Sequence, residues 1–138
     1  MATRGAPYLQ AQVSITVTAP AENTPTVTRG TVVLVDLNPT IGHEQRGLRP
    51  CVVVSDEAVA VDQRFPLLCV VPVTATPGAG ALYPTLLPGP SGLRKQSYAL
   101  IDHLRSIDKQ RVIQVHGPLS VDELGTIDRG LRLYLGLP

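Results

Sequence analysis

The chain is poor in large aromatic side chains: among 138 residues there is no Trp, one Phe and four Tyr. Its core must therefore be aliphatic, built from Val, Leu and Ile. Cysteine is equally scarce. Cys51 and Cys69 both lie in apolar runs without paired His nearby, which reads as two buried free thiols and argues against a zinc site. No apolar run is long enough to span a bilayer. The N-terminus carries no apolar signal segment. These absences point to a cytoplasmic protein with no membrane partner. A strong charge of either sign is missing too. The formal net charge is +1, so any nucleic-acid binding must come from a local cluster rather than bulk charge. No phosphate-binding glycine loop, HExxH, GxSxG or paired CxxC occurs, which argues against nucleotide hydrolases, zinc proteases and lipase-type enzymes. No cofactor and no metal is called for.

What is present is an ordinary globular balance, 43% hydrophobic and 17% charged, enough for one domain. Residues 1–28 stand apart. They are rich in Thr, Ala and Pro, hold only Arg4 and Glu22 as charges, and read as a flexible or weakly docked extension. Residues 29–138 read as the compact domain. Strands are expected over Thr31–Leu37, Arg49–Ser55 and Leu67–Val73, with Pro72 placing the end of the third at an edge or bulge. Shorter strands follow at Tyr83–Leu87, Ser97–Ile101, Leu104–Ile107 and Val112–His116. Asp56–Asp62 is either one helical turn or an irregular loop. One helix is clear. Ser120 and Glu123 form a capping box, Leu124, Ile127, Leu131 and Tyr134 recur on one face, and Gly136 and Pro138 stop it. The pattern predicts a mainly β, α+β domain: a small barrel-like sheet with a C-terminal helix packed on it.

Chemistry concentrates in Gly42–Asp56, GHEQRGLRPCVVVSD. Gly42 and Gly47 let the loop turn, and Pro50 pushes Arg49 toward extended backbone at the mouth of a buried strand. Arg49 is thereby anchored, with a planar fork suited to phosphate oxygens. It is a poor proton acceptor, since arginine stays charged. Thr74, where the third strand stops being apolar, is either a turn former or a hydroxyl that holds a phosphate oxygen. Asp102, His103 and Arg105 form a third cluster. In an extended segment His103 and Arg105 share one face, as in a groove for RNA. Glu44 is an ion-pair partner for Arg46 or Arg49, or an acceptor for a base amino group.

Taken together, RGTVVLVDLNPTIGHEQRGLRPCVVVSD, then VVPVTAT, then YALIDHLRSIDKQRVIQVHGPLS and the terminal helix, resemble the MazF/PemK-type toxins, mRNA interferases of type II toxin–antitoxin modules. The resemblance covers residues 29–138. It implies a CcdB/MazF-type SH3-like barrel, a homodimer, an acidic MazE-like antitoxin partner and a metal-independent endoribonuclease cutting single-stranded RNA at a short word. It also implies Arg49 and Thr74 as the catalytic pair, with Glu44 and Gln45 linked to activity or RNA contact; Arg46, His103 and Arg105 are the further residues expected to contact RNA. The family often has Gln where this chain has His103, a departure that bears on base preference. His103 is also a candidate proton carrier, because histidine exchanges protons near neutral pH. Two rival functions remain. One is a gyrase-poisoning toxin of the same fold, which depends on a Trp-Gly-Ile tail that this Trp-free chain lacks. The other is an inactive paralogue that binds RNA or antitoxin.

Overall fold

The computed structural model describes residues 27–39 and 41–138; the expectation for the extension falls outside them, except at its last two positions. Seven strands form one antiparallel sheet: β1 (Thr31–Asp36), β2 (Leu48–Val53), β3 (Leu67–Thr74), β4 (Thr85–Leu86), β5 (Ser97–Ala99), β6 (Arg105–Asp108) and β7 (Val112–Pro118). Among the described residues two α-helices accompany them, a short α1 (Glu57–Val61) and the long α2 (Val121–Leu135). The spatial order is β4-β5-β3-β2-β1-β7, with β6 also paired to β3.

The β-branched runs are long because the sheet is covered on both faces. Val33, Val35, Cys51, Val53, Leu68 and Val70 point to one core, which also takes Val27 and Ala60 of α1. Their strand neighbours Val32, Val52, Val71 and Val73 point to the other, capped by Ile127 and Leu131 of α2. This is the period-two alternation of a strand with apolar partners on each side. Val27 is buried and Thr28 donates its N–H to Thr31 Oγ1, so the packed unit starts slightly before Arg29.

Pro72 does not mark a sheet edge. β3 is central: Pro72 faces Cys51 of β2, while on its other side β3 pairs β6 up to Val70 and β5 from Val73. Proline sits in the gap between the two ladders, where its missing N–H leaves no bond unmade, and its carbonyl accepts from Leu100 N–H at 2.8 Å.

The expected strand over Ser97–Ile101 stops at Ala99, and Ile101–His103 form a 3-10 turn. The N–H of Leu104 returns to Ile101 O at 3.1 Å. His103 and Arg105 therefore do not share an extended face. Only Thr85 and Leu86 of the predicted fourth strand pair. Asp56–Asp62 resolves into α1, N-capped by the Asp56 carboxylate.

The capping box on α2 is present, with Ser120 Oγ accepting from Glu123 N–H and Glu123 Oε1 accepting from Ser120 N–H, both at 3.1 Å. Gly136 closes the helix in the left-handed conformation. Tyr134, expected on the buried face, is about half exposed, its hydroxyl donating to Asp102 O at 3.4 Å. The close packing is at Gly130 instead. A Cβ there would lie 2.6 Å from Ala81 O and 2.9 Å from Ile101 Cγ1, so the helix presses directly on the 3-10 turn.

Candidate active site

Arg49 lies on β2 beside the end of β1, paired with Val35. Its Nε donates to Arg46 O at 3.0 Å, which fixes the plane of the guanidinium. Among the described residues its two terminal amino groups meet no acceptor, so the fork faces the groove uncommitted. Thr74 ends β3 opposite Tyr98 of β5, and its Oγ1 accepts from Thr76 N–H at 3.1 Å. The hydroxyl proton is left to serve an outside acceptor.

Three open cavities run side by side through these residues. The first, about 420 Å³, has Arg49, Thr74, Gln45, Tyr83, Tyr98 and His103 in its walls. The second, about 320 Å³, lies beyond Gln45 and His103 and adds His43, Glu44, Asp102 and Arg105. The third, about 420 Å³, lies on the other side of Arg49 and Thr74. The two residues of the predicted catalytic pair thus form the saddle between two cavities. Arg46 lines none of the three, and its Nη2 donates back to Gly42 O at 3.3 Å.

Glu44 makes no ion pair among the described residues. Its Oε1 accepts from Ile41 N–H at 2.5 Å, the local bond of a loop turn. Arg105 faces its cavity from β6 while one amino group donates to Leu37 O at 3.4 Å, so it also supports the base of the β1–β2 loop.

His103 is partly shielded, with 24% of its side chain exposed. Its Nε2 is 3.8 Å from Asp102 Oδ1, too long for a hydrogen bond. That oxygen is buried and has no hydrogen-bond partner among the described residues. The other carboxylate oxygen accepts from Tyr83 O–H at 2.8 Å. The bond to Asp102, with burial and the nearby charge adding to it, raises the Tyr83 phenol above its ordinary pKa, so Tyr83 remains a protonated donor. Tyr98 Oη accepts from Gln96 Nε2–H at 2.9 Å. Tyr83, Tyr98 and Thr76 were not singled out from the sequence. Tyr98 enters the site through pairing with Thr74 across the sheet and Tyr83 through its bond to Asp102, neither of which local sequence displays, whereas Thr76 follows Thr74 in the same turn.

Cys51 is buried and its thiol is pushed up to about 12 by that burial, against a lesser lowering from Arg105. Cys69 is half-buried and raised in the same sense. Neither is a nucleophile near neutral pH. Among the described residues no three His, Cys, Asp or Glu side chains gather as metal ligands. No helix among them is long and apolar enough to cross a membrane.

An antiparallel sheet with one C-terminal helix packed on it, as here, is the SH3-like barrel architecture of the MazF-type toxins. Within that class the chain belongs to the PemK-like, MazF-like toxins of type II toxin–antitoxin systems, whose profile matches residues 28–135. It is 36% identical over 113 residues to endoribonuclease MazF9 of Mycobacterium tuberculosis, covering 79% of this chain and 96% of that one. It is 30% identical over 114 residues to endoribonuclease EndoA of Bacillus subtilis, covering 80% and 96%. The crystal structure of MazF from Deinococcus radiodurans superposes with a TM-score of 0.68 at 29% identity, covering 84% of this chain and 100% of that one. A MazE–MazF complex from the same organism gives 0.62 at 30% identity, covering 81% and 97%.

Proposed function

We propose that this protein is the toxin of a toxin–antitoxin pair and acts as a sequence-specific endoribonuclease on single-stranded RNA, with no metal in the chemical step. The observation that carries this reading is the saddle: an arginine fork held by its own Nε, beside a threonine hydroxyl, between two cavities that can each take a neighbouring nucleotide. The RNA 2′-hydroxyl attacks the adjacent phosphorus, and the bond to the 5′-oxygen breaks. The products are a 2′,3′-cyclic phosphate, or the 3′-phosphate it opens to, and a 5′-hydroxyl. Arg49 neutralises charge growing on the non-bridging oxygens, and Thr74 orients the phosphate. Gln45, Glu44 and Arg105 line the path of the bases on the side of the second cavity.

His103 carries a proton in this scheme. It borders both the first and second cavities. Its Nε2 lies 3.8 Å from the Asp102 oxygen that has no hydrogen-bond partner among the described residues. The other ionisable groups lining those two cavities are Arg49, Tyr83, Tyr98, His43, Glu44 and Arg105. The names of the two endoribonuclease relatives support the activity, and the Deinococcus MazE–MazF complex supports an antitoxin partner. The active unit is a homodimer working in the cytoplasm.

The test is cleavage of a long single-stranded RNA in excess EDTA, wild type beside Arg49→Ala, with the cut sites mapped by primer extension. Cuts at one recurrent short word, reduced ~10²–10³-fold in the variant, are expected. Equal cutting by both proteins, or cutting abolished by EDTA and restored by metal, overturns the scheme. His103→Ala should shift the pH–rate profile; an unchanged profile removes His103 as the proton carrier.

A further inference from the structure

The two sides of the Arg49–Thr74 saddle differ in kind. The first cavity offers two tyrosine rings, flat groups on which bases stack. The third cavity has neither Tyr nor Phe in its wall. Arg94 and Lys95 face it together with His116, no carboxylate lines it, and Leu34 and Gln114 contribute to its floor. Leu34 and Gln114 are direct partners across β1 and β7, so that floor is the rigid sheet itself.

The two cations stand on a braced turn. Leu93, just before them, is buried in the core under α2. Just after them, Ser97 Oγ donates to Lys95 O at 2.9 Å. Upstream, the same loop is pressed against β7. A Cβ on Gly117 would come within 2.0 Å of Pro90 O, a contact only glycine permits. Arg94 and Lys95 therefore project from a backbone fixed at both ends. Only their side chains remain to be ordered when a ligand binds, which lowers the entropic cost of association.

An RNA strand whose scissile phosphate rests on Arg49 and Thr74 must leave the saddle on both sides. We propose, resting on the nuclease reading above, that the third cavity is a second RNA subsite. It grips the phosphodiester backbone flanking the cut through Arg94 and Lys95 and does not read a base. Word recognition then belongs to the first and second cavities. The third supplies sequence-independent affinity, with the salt dependence that phosphate contacts bring.

The experiment compares wild type with an Arg94→Gln/Lys95→Gln variant. The first measurement is binding of a fluorescein-labelled 2′-O-methyl oligoribonucleotide of mixed sequence, about 12 nucleotides long and so within the usual span of a single-strand groove. This probe cannot be cleaved, so binding is read whether or not the protein is a nuclease. The slope of log Kd against log salt should fall by about 1.4, two contacts at ~0.7 each for single strands. An unchanged slope overturns the subsite. The second measurement is cleavage of a long RNA. The variant should cut the same sites as wild type, with the loss in KM rather than in kcat. A changed cutting word, or a loss at saturating RNA, also overturns the subsite. Failure of wild type to cut any RNA would sink the nuclease reading instead, and the salt slope would still decide the subsite.

Discussion

Two stretches of this chain look alike on paper. His43–Arg49, HEQRGLR, and Arg105–Arg111, RSIDKQR, are both short, charged and hydrogen-bonding. The fold uses them in opposite ways. The first is mostly exposed and presents Gln45 and Arg49 to the first cavity. The second is largely an anchor. Lys109 is 0% exposed, and its Nζ donates to Val59 O at 2.8 Å and Asp62 O at 3.1 Å, stitching the end of α1 to the barrel. Burial pushes its pKa down, partly offset by the Asp62 charge. Asp108 caps the turn that follows. Arg111 donates to Asp36 O and Asn38 O, and Arg105 to Leu37 O. The second stretch thus holds the base of the first. A charged run may be a working surface or a buried clamp, and composition does not distinguish them.

The comparison breaks or sharpens under substitution. Arg49→Lys keeps the charge but loses the planar fork. Single-turnover cleavage should drop ~10²-fold or more, while thermal unfolding stays within a degree or two. A matching loss of stability would mean that Arg49 is a clamp as well. Lys109→Met should do the reverse. It leaves two buried carbonyls without a donor, at ~1–3 kcal/mol each, so urea unfolding should register a loss of ~2–4 kcal/mol. Cleavage measured well below the transition should stay within about twofold, a change of ~0.4 kcal/mol in barrier. Unaltered stability would refute the clamp.

Cys51 tests the buried side by pH. Burial pushes its thiol up to about 12 in the folded chain, from an ordinary value of 9.0. Between those values the unfolded chain has lost the proton and the folded chain keeps it. Stability should therefore fall as pH rises from about 9 towards 12, by up to ~1.4 kcal/mol per unit from this group. Cys51→Ala should flatten that slope, measured by urea titration at pH 8, 9 and 10; an identical slope would contradict the assignment. The smallest effect belongs to the exposed stretch. Glu44→Ala removes one loop bond at the surface and should change stability by less than about 0.5 kcal/mol. A larger loss would show the loop to be more tightly built than its exposure implies.

Much of this fold was legible in the sequence because its signals are local. The β-branched runs at Thr31, Cys51 and Leu67 announce two-faced burial, and Ser120 with Glu123 announces α2. The Arg-Pro dipeptide at the mouth of β2 gave Arg49, and the polar end of β3 gave Thr74. What escaped is non-local. Tyr98 enters the site through its pairing with Thr74, and Tyr83 through its bond to Asp102, nineteen residues away. The 3-10 turn at Ile101–His103 is hidden in the sequence because the apolar residues on either side read as strand; the press of Gly130 against Ile101 lies in a distant segment. Pro72 reads as an edge residue in isolation, and only the switch of β3 from β6 to β5 explains its central place.

The outer position of β7 bears on timing. Its partner β1 was made some eighty residues earlier, and long-range pairings of this kind form late. A nascent chain halted before Val112 already contains Arg49, Thr74 and His103. It nevertheless has a bare β1 edge, no Gln114 or His116 beside the saddle, and no α2 to press the Ile101 turn into place. The parts of the groove are synthesised early and the groove itself appears last. A fragment that stops short of β7 and α2 therefore carries the residues of the groove without the pairing and packing that assemble it.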